Sequence, residues 1–171
     1  MAAKKIITLP DKILRSKSEE INDINSEILE LAHEMADTIE SYSSEYEAGV
    51  ALAAVQIGIP KRMIVLKEDE EYIALINPII IKKSKTENED LEGCMSVPKK
   101  YGMIMRSKSI KVKAKNLEGK DIKIAAEGMF ARILQHEIDH LNGILFTDYL
   151  KDSSQIYTLN SRGKLVLEKK V

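Results

Sequence analysis

The chain has 171 residues, 44% hydrophobic and 31% charged, which is enough for one buried core under a soluble surface and argues against a disordered chain. Its 26 Lys and Arg stand against 27 Asp and Glu, and the formal net charge of -1 supplies no global attraction to nucleic acid or anionic lipid. No apolar run approaches the ~20 residues of a membrane span, and the N-terminal MAAKKIITLP lacks a following apolar segment of the secretory type. The expectation is a cytoplasmic protein, one domain over 1–171, with no direct nucleic-acid or membrane binding.

From Asn25 to Tyr42, the residues Ile28, Leu29, Leu31, Ala32, Met35, Ile39 and Tyr42 recur at helical spacing and predict an amphipathic N-terminal helix. Strand patterning follows over Lys61–Leu66, Tyr72–Ile76 and Pro78–Ile81. The charged stretch 82–93 reads as a solvated loop. Clean alternation over Ser109–Lys115 and a run over Asp121–Ala125, separated by Asn116-Leu117-Glu118-Gly119, predict an antiparallel hairpin. A second helix spans Gly128–Leu141 and stops at Asn142-Gly143, and Lys164–Lys170 reads as a short final strand. The fold class expected is α+β, antiparallel sheets packed around the second helix.

That second helix carries HEIDH. His136 and His140, four residues apart, share one helical face and can grip one metal ion. Glu137 points to an adjacent sector, where such a glutamate takes a proton from the metal-activated water and returns it to the leaving group. A catalytic metal usually takes a third protein ligand and keeps one position open. The third histidine of the chain, His33, lies in HEMAD without a partner histidine and reads as an ordinary helix residue. Cys94, the single cysteine, excludes an intramolecular disulfide and is the better candidate, because LEGCMSVP can turn its thiol toward a metal. One thiolate and two imidazoles accept Fe2+, Zn2+, Ni2+ or Co2+. Asp139 divides between a hydrogen bond that supports the site and an ion pair with Arg106, and Arg132, one turn before His136, reads as solvent-facing.

Three segments in order, GVALAAVQ at 49–56, EGCMS at 92–96 and HEIDH at 136–140, resemble the motifs of the peptide deformylase family, and the flanks AEGMFARILQ and LNGILF resemble it too. The resemblance implies a metal-dependent hydrolase that removes the N-formyl group from the N-terminal methionine of nascent polypeptides and releases formate. It implies Cys94, His136 and His140 as ligands of one divalent ion, Fe2+ in the cell, and Glu137 as the base. It also implies Gln56 and the backbone N–H of Met95 as donors to the oxyanion, Val50, Met129 and Ile133 as the methionine pocket, and Gly49 as backbone that pairs with the peptide. N-formylmethionyl nascent peptides are the partners implied, with the ribosome surface open as a docking site.

Two positions depart from the family pattern. Ala51 stands at the second glycine of the first motif, which requires either torsions open to a side chain or a displaced loop, and Tyr101 stands where the family often has arginine. Two other readings are available to the same residues. A general zinc endopeptidase would share the helix, but its usual third ligand lies downstream, and no histidine follows His140. A catalytically silent relative that binds peptides or ribosomes would retain the fold without formate release.

Overall fold

A computed structural model of the chain describes residues 3–42, 49–69, 71–151, 155–160 and 163–168. Among the described residues, two helices, α1 (Ser26–Ser41) and α2 (Gly128–His140), combine with nine strands: β1 (Ala51–Ala53), β2 (Met63–Glu68), β3 (Glu71–Lys83), β4 (Glu87–Gly93), β5 (Lys100–Ser107), β6 (Ser109–Lys115), β7 (Asp121–Glu127), β8 (Ile156–Leu159) and β9 (Leu165–Leu167). All pairings between strands are antiparallel, in a five-stranded sheet of order β1-β2-β3-β6-β7 and a four-stranded sheet of order β4-β5-β8-β9. The α+β architecture is the one expected.

Alternation places the five-stranded sheet between the helices. Ile64, Leu66, Leu75, Ile110, Val112 and Ala126 face α2, where they meet Ala131, Leu134 and Ile138. The opposite side chains Met63, Val65, Ala74 and Ile76 face α1 and its Leu31, Met35 and Ile39. Asn25 caps α1 by accepting from the Ile28 N–H at 3.2 Å. The buried stripe of α1 is narrower than its sequence suggests, since Leu29 is exposed. The β6–β7 turn is closed by Asn116, whose side-chain oxygen accepts from the N–H groups of Glu118 and Lys120.

Two segments differ from expectation. The strand runs 72–76 and 78–81 form one strand, β3, because Asn77 takes a left-handed backbone (φ 50°) and its amide bonds both the N–H and the C=O of Ile21, which absorbs the irregularity. The stretch 82–93 is not a loop throughout: β4 pairs with β5 from Glu87↔Ser107 to Gly93↔Tyr101. Its outward Glu87 and Glu89 are solvated while Glu92 turns inward, so the strand buries a charge where a pattern reading expects an apolar residue. The expected terminal strand corresponds to β9, and residues 169 and 170 of that expectation lie outside the described residues. Among the described residues, no helix is long and apolar enough to cross a membrane.

Candidate metal centre and catalytic cleft

The apolar side of α2 is anchored by Ala131, Leu134 and Ile138, and this fixes the direction of the polar side chains on the same helix. His136, Glu137 and His140 are thereby held beside the turn that follows β4. There the Val97 N–H donates to the Cys94 carbonyl at 2.9 Å, and Cys94 packs with Val97, Ile104, Leu145 and Phe146. Cys94 Sγ lies 3.2 Å from His140 Nε2, which lies 3.2 Å from His136 Nε2, and the three potential ligand atoms fall within 4.8 Å of one another.

The donor set fits a divalent ion. Two imidazole nitrogens and a sulfur converge on one point, a combination suited to borderline and soft metals. The field there favours positive charge: burial alone would lower His136, but its hydrogen bonds to Cys94 and Glu92 and the charges of Cys94 and Glu137 raise it well above the usual imidazole value. Burial and the neighbouring His136 hold His140 well below that value, in the neutral form that a metal ligand requires.

Glu92 organises what lies behind the centre. Its Oε2 is 3.0 Å from His136 Nδ1, and because a carboxylate only accepts, Nδ1 donates and Nε2 is left to face Cys94 and His140. Arg106 grips the same carboxylate with two bonds, Nε to Oε1 at 2.9 Å and Nη2 to Oε2 at 3.0 Å, and Arg132 Nη1 adds a third at 2.7 Å. Burial would raise the Glu92 carboxyl, but the bonds from His136 and Arg106 hold it at about 2. Arg106 also pairs with Asp139, to which the Tyr149 hydroxyl donates at 2.8 Å, so the ion-pair reading of Asp139 is the one observed.

Arg132 is a correction. Its side chain is 4% exposed rather than solvent-facing, and it also donates to the carbonyls of Ile104 and Asn88, both at 2.9 Å, which ties α2 to β5 and β4. Neither Glu92 nor Arg132 stood out as supporting the site on sequence alone, although Glu92 lies within the EGC segment and Arg132 stands four residues before His136 on the same helix face. His33 is exposed on α1, away from this cluster.

In front of the centre opens a cleft of about 270 Å3. It lies between two terminal strands, with Gly49, Val50 and Ala51 on the β1 side and Leu91, Glu92 and Gly93 on the β4 side. Met129, Ile133, His136 and Glu137 of α2 also line it, together with Gln56, Cys94 and Met95. Val50 and Met129 are 49% and 57% exposed at its rim. Of the ten site residues expected from sequence, only His140 lies behind the cleft wall rather than in it, at 1% exposure. Glu137 is buried, its carboxyl pushed by burial up to about 7, and its Oε2 has no hydrogen-bond partner among the described residues. Gln56 follows β1 in a short 3-10 turn (Ala54–Ile57); its Oε1 accepts from the Ala53 N–H at 2.8 Å, which directs Nε2 toward Ser96 Oγ at 3.1 Å and Cys94 Sγ at 3.7 Å.

The two departures have different outcomes. Ala51 is a strand residue in register with Leu66, has no positive φ and buries its methyl group in the core, so its torsions are open to a side chain. Tyr101 is buried on β5 between Gly93 and Tyr157 in register, and it is not among the residues lining the cleft.

A family model described as polypeptide deformylase matches residues 3–155. The chain is similar to the peptide deformylase of Carboxydothermus hydrogenoformans, with 47% identity over 148 residues, 86% of this chain and 93% of that one. It is 43% identical to the peptide deformylase of Rhizobium meliloti over 156 residues, 88% of this chain and 86% of that one. A solved peptide deformylase structure from Legionella pneumophila superposes with a TM-score of 0.82 at 38% identity, covering 88% of this chain and 87% of its own. One from Synechococcus elongatus, in complex with actinonin, superposes with a TM-score of 0.82 at 32% identity, covering 89% and 81%.

Proposed function

The chain belongs to the polypeptide deformylase family, and from that premise we propose that it removes the formyl group from the N-terminal methionine of nascent polypeptides, releasing formate. The observation that carries the proposal is the convergence of Cys94, His136 and His140 beside the buried Glu137 in one cleft. In this reading those three residues hold one divalent ion, Fe2+ in the cell, with Zn2+, Ni2+ or Co2+ as substitutes. When bound, such an ion supplies Lewis-acid activation of water and of the formyl carbonyl.

The residues of the chain do the rest. The buried Glu137 carboxylate takes a proton from the attacking water and returns it to the methionine nitrogen as the C–N bond breaks, so that water adds across the amide and leaves formate and a free amine. Gln56 Nε2, aimed by the Ala53 N–H, and the Met95 N–H donate to the formyl oxygen as negative charge gathers on it. Val50, Met129 and Ile133 wall the methionine side chain, and the free edge at Gly49 pairs with the extended peptide. The whole chain, 1–171, acts as one catalytic domain in the cytoplasm, where nascent chains emerge at the ribosome surface.

The test is formate release from formyl-Met peptides by protein loaded anaerobically with Fe2+, Ni2+ or Co2+, alongside metal analysis. One equivalent of metal and formate release from formylated peptides alone are expected. Cleavage of internal peptide bonds would point instead to a zinc endopeptidase, and an intact metal centre without formate to a silent relative.

Two further outcomes are expected. Gln56→Ala should lower kcat by about a hundredfold, the loss of one oxyanion donor being worth about 3 kcal/mol, with metal content unchanged. Gly49→Ala should raise KM: a Cβ built there lies 2.9 Å from the Ile39 carbonyl oxygen, so the lip of the cleft must shift while the metal centre stays in place. Peptide titrations with parallel metal analysis separate the two effects.

A further inference from the structure

The net charge of -1 conceals an uneven distribution. The face of the five-stranded sheet turned away from α2 is covered by α1 at β1 and β2, whereas toward β6 and β7 its side chains stand in solvent. Lys82 of β3, Lys111 and Lys113 of β6 and Lys123 of β7 are exposed there, with Lys115 half-buried beside them. Lys82 is in register with Lys111, and Lys113 with Lys123. Two directly opposed like-charge pairs work against sheet stability. The first exists because a register shift between Ile80 and Lys82 brings that lysine opposite Lys111.

Acidic groups sit at both margins. Asp121 pairs with Lys115 at 3.0 Å and Lys113 at 3.5 Å, and Glu127 stands at the far end of β7. Lys82, Lys111 and Lys123 have no ion-pair partner among the described residues. A groove of about 250 Å3 lies along Lys82 and Lys111 with Ser84, Ser109 and Glu127.

We propose that this lysine face binds the phosphate backbone of RNA. Successive outward residues stand about 7 Å apart along a strand and about 5 Å apart across strands, so the patch engages several phosphates of one chain rather than a single small anion. Lysines without aromatic neighbours read charge, not base identity, so binding is independent of sequence and weakens steeply with salt. Ile79, in register with Lys113, and Ile81, at the register shift, lie within the central strand of the sheet rather than on a turn, which favours RNA over insertion into a lipid surface. The cleft lies on the α2 side of the same sheet, so the docked enzyme keeps it open. The proposed activity bears only on which RNA is met in the cell, since its substrates are nascent chains.

Anisotropy of a short fluorescent RNA, titrated with metal-loaded enzyme between about 50 and 200 mM salt, tests this; with four phosphates neutralised, log Kd should rise with log salt at a slope of about 3. The K111E/K123E variant should lose affinity at least about tenfold. It should keep its thermal midpoint, because each new glutamate faces a lysine, and it should hydrolyse a short formyl-Met peptide normally. K12E/K17E, with the same charge change on exposed lysines elsewhere, should bind nearly as wild type. No binding at the lowest salt, equal loss in both variants, or binding to phosphatidylserine vesicles but not to RNA would overturn the proposal. Failure of formate release alongside lysine-dependent RNA binding would overturn the activity and leave this face standing.

Discussion

Glu137→Gln should keep the fold and the metal yet slow deformylation by about 10²- to 10⁴-fold, the range that a positioned general base contributes. The substitution preserves shape in a buried position and removes only the ability to take a proton at Oε2, an atom with no protein partner among the described residues. The pH profile carries the same information. Burial pushes the Glu137 carboxyl up to about 7, while a divalent cation beside it acts in the opposite direction. Only the deprotonated form accepts a proton. Activity of the wild type should therefore rise with pH through an acid limb between the ordinary value of 4.5 and about 7, and the variant should lack that limb. Near wild-type turnover in the variant, with metal content measured in parallel, would remove Glu137 as the base.

Glu92→Ala should cost about 3–5 kcal/mol of stability, the loss usual when one member of a buried ionic network is deleted and its partners are left uncompensated. Arg106 and Arg132, each 4% exposed, would then face each other's charge without the shared carboxylate. His136 would also lose the acceptor that sets its tautomer, so metal affinity should fall about 10- to 100-fold. Denaturant unfolding and metal competition titrations read the two losses separately. Acid should reproduce part of the effect in the wild type. The folded carboxyl lies at about 2, below its ordinary 4.5, so its stabilisation is complete above about 4.5 and is lost as pH falls toward 2. Glu92→Gln should flatten that slope; an unchanged acid profile would mean that the network contributes little.

What sequence alone determined was whatever a local period can encode. The four-residue spacing of His136 and His140 depends only on helix geometry, and the buried stripe of α1 and the β6–β7 hairpin likewise follow from patterns within a single element. Cys94 was reached by elimination in a chain with one cysteine and three histidines. Strand β4 was not legible, because it buries Glu92 and its stability comes from β5 and from arginines 14 and 40 positions away. Arg132 was misplaced for the same reason: no helical pattern distinguishes an arginine in water from one whose carboxylate partner arrives from another sheet. Lys82 and Lys111 share that lesson, since a bulge set their register and a net charge cannot show it. Burying a charge depends on partners that only the folded chain brings within reach, so the residues of the HEIDH helix could be read in advance, and the network that holds them was decided by tertiary structure.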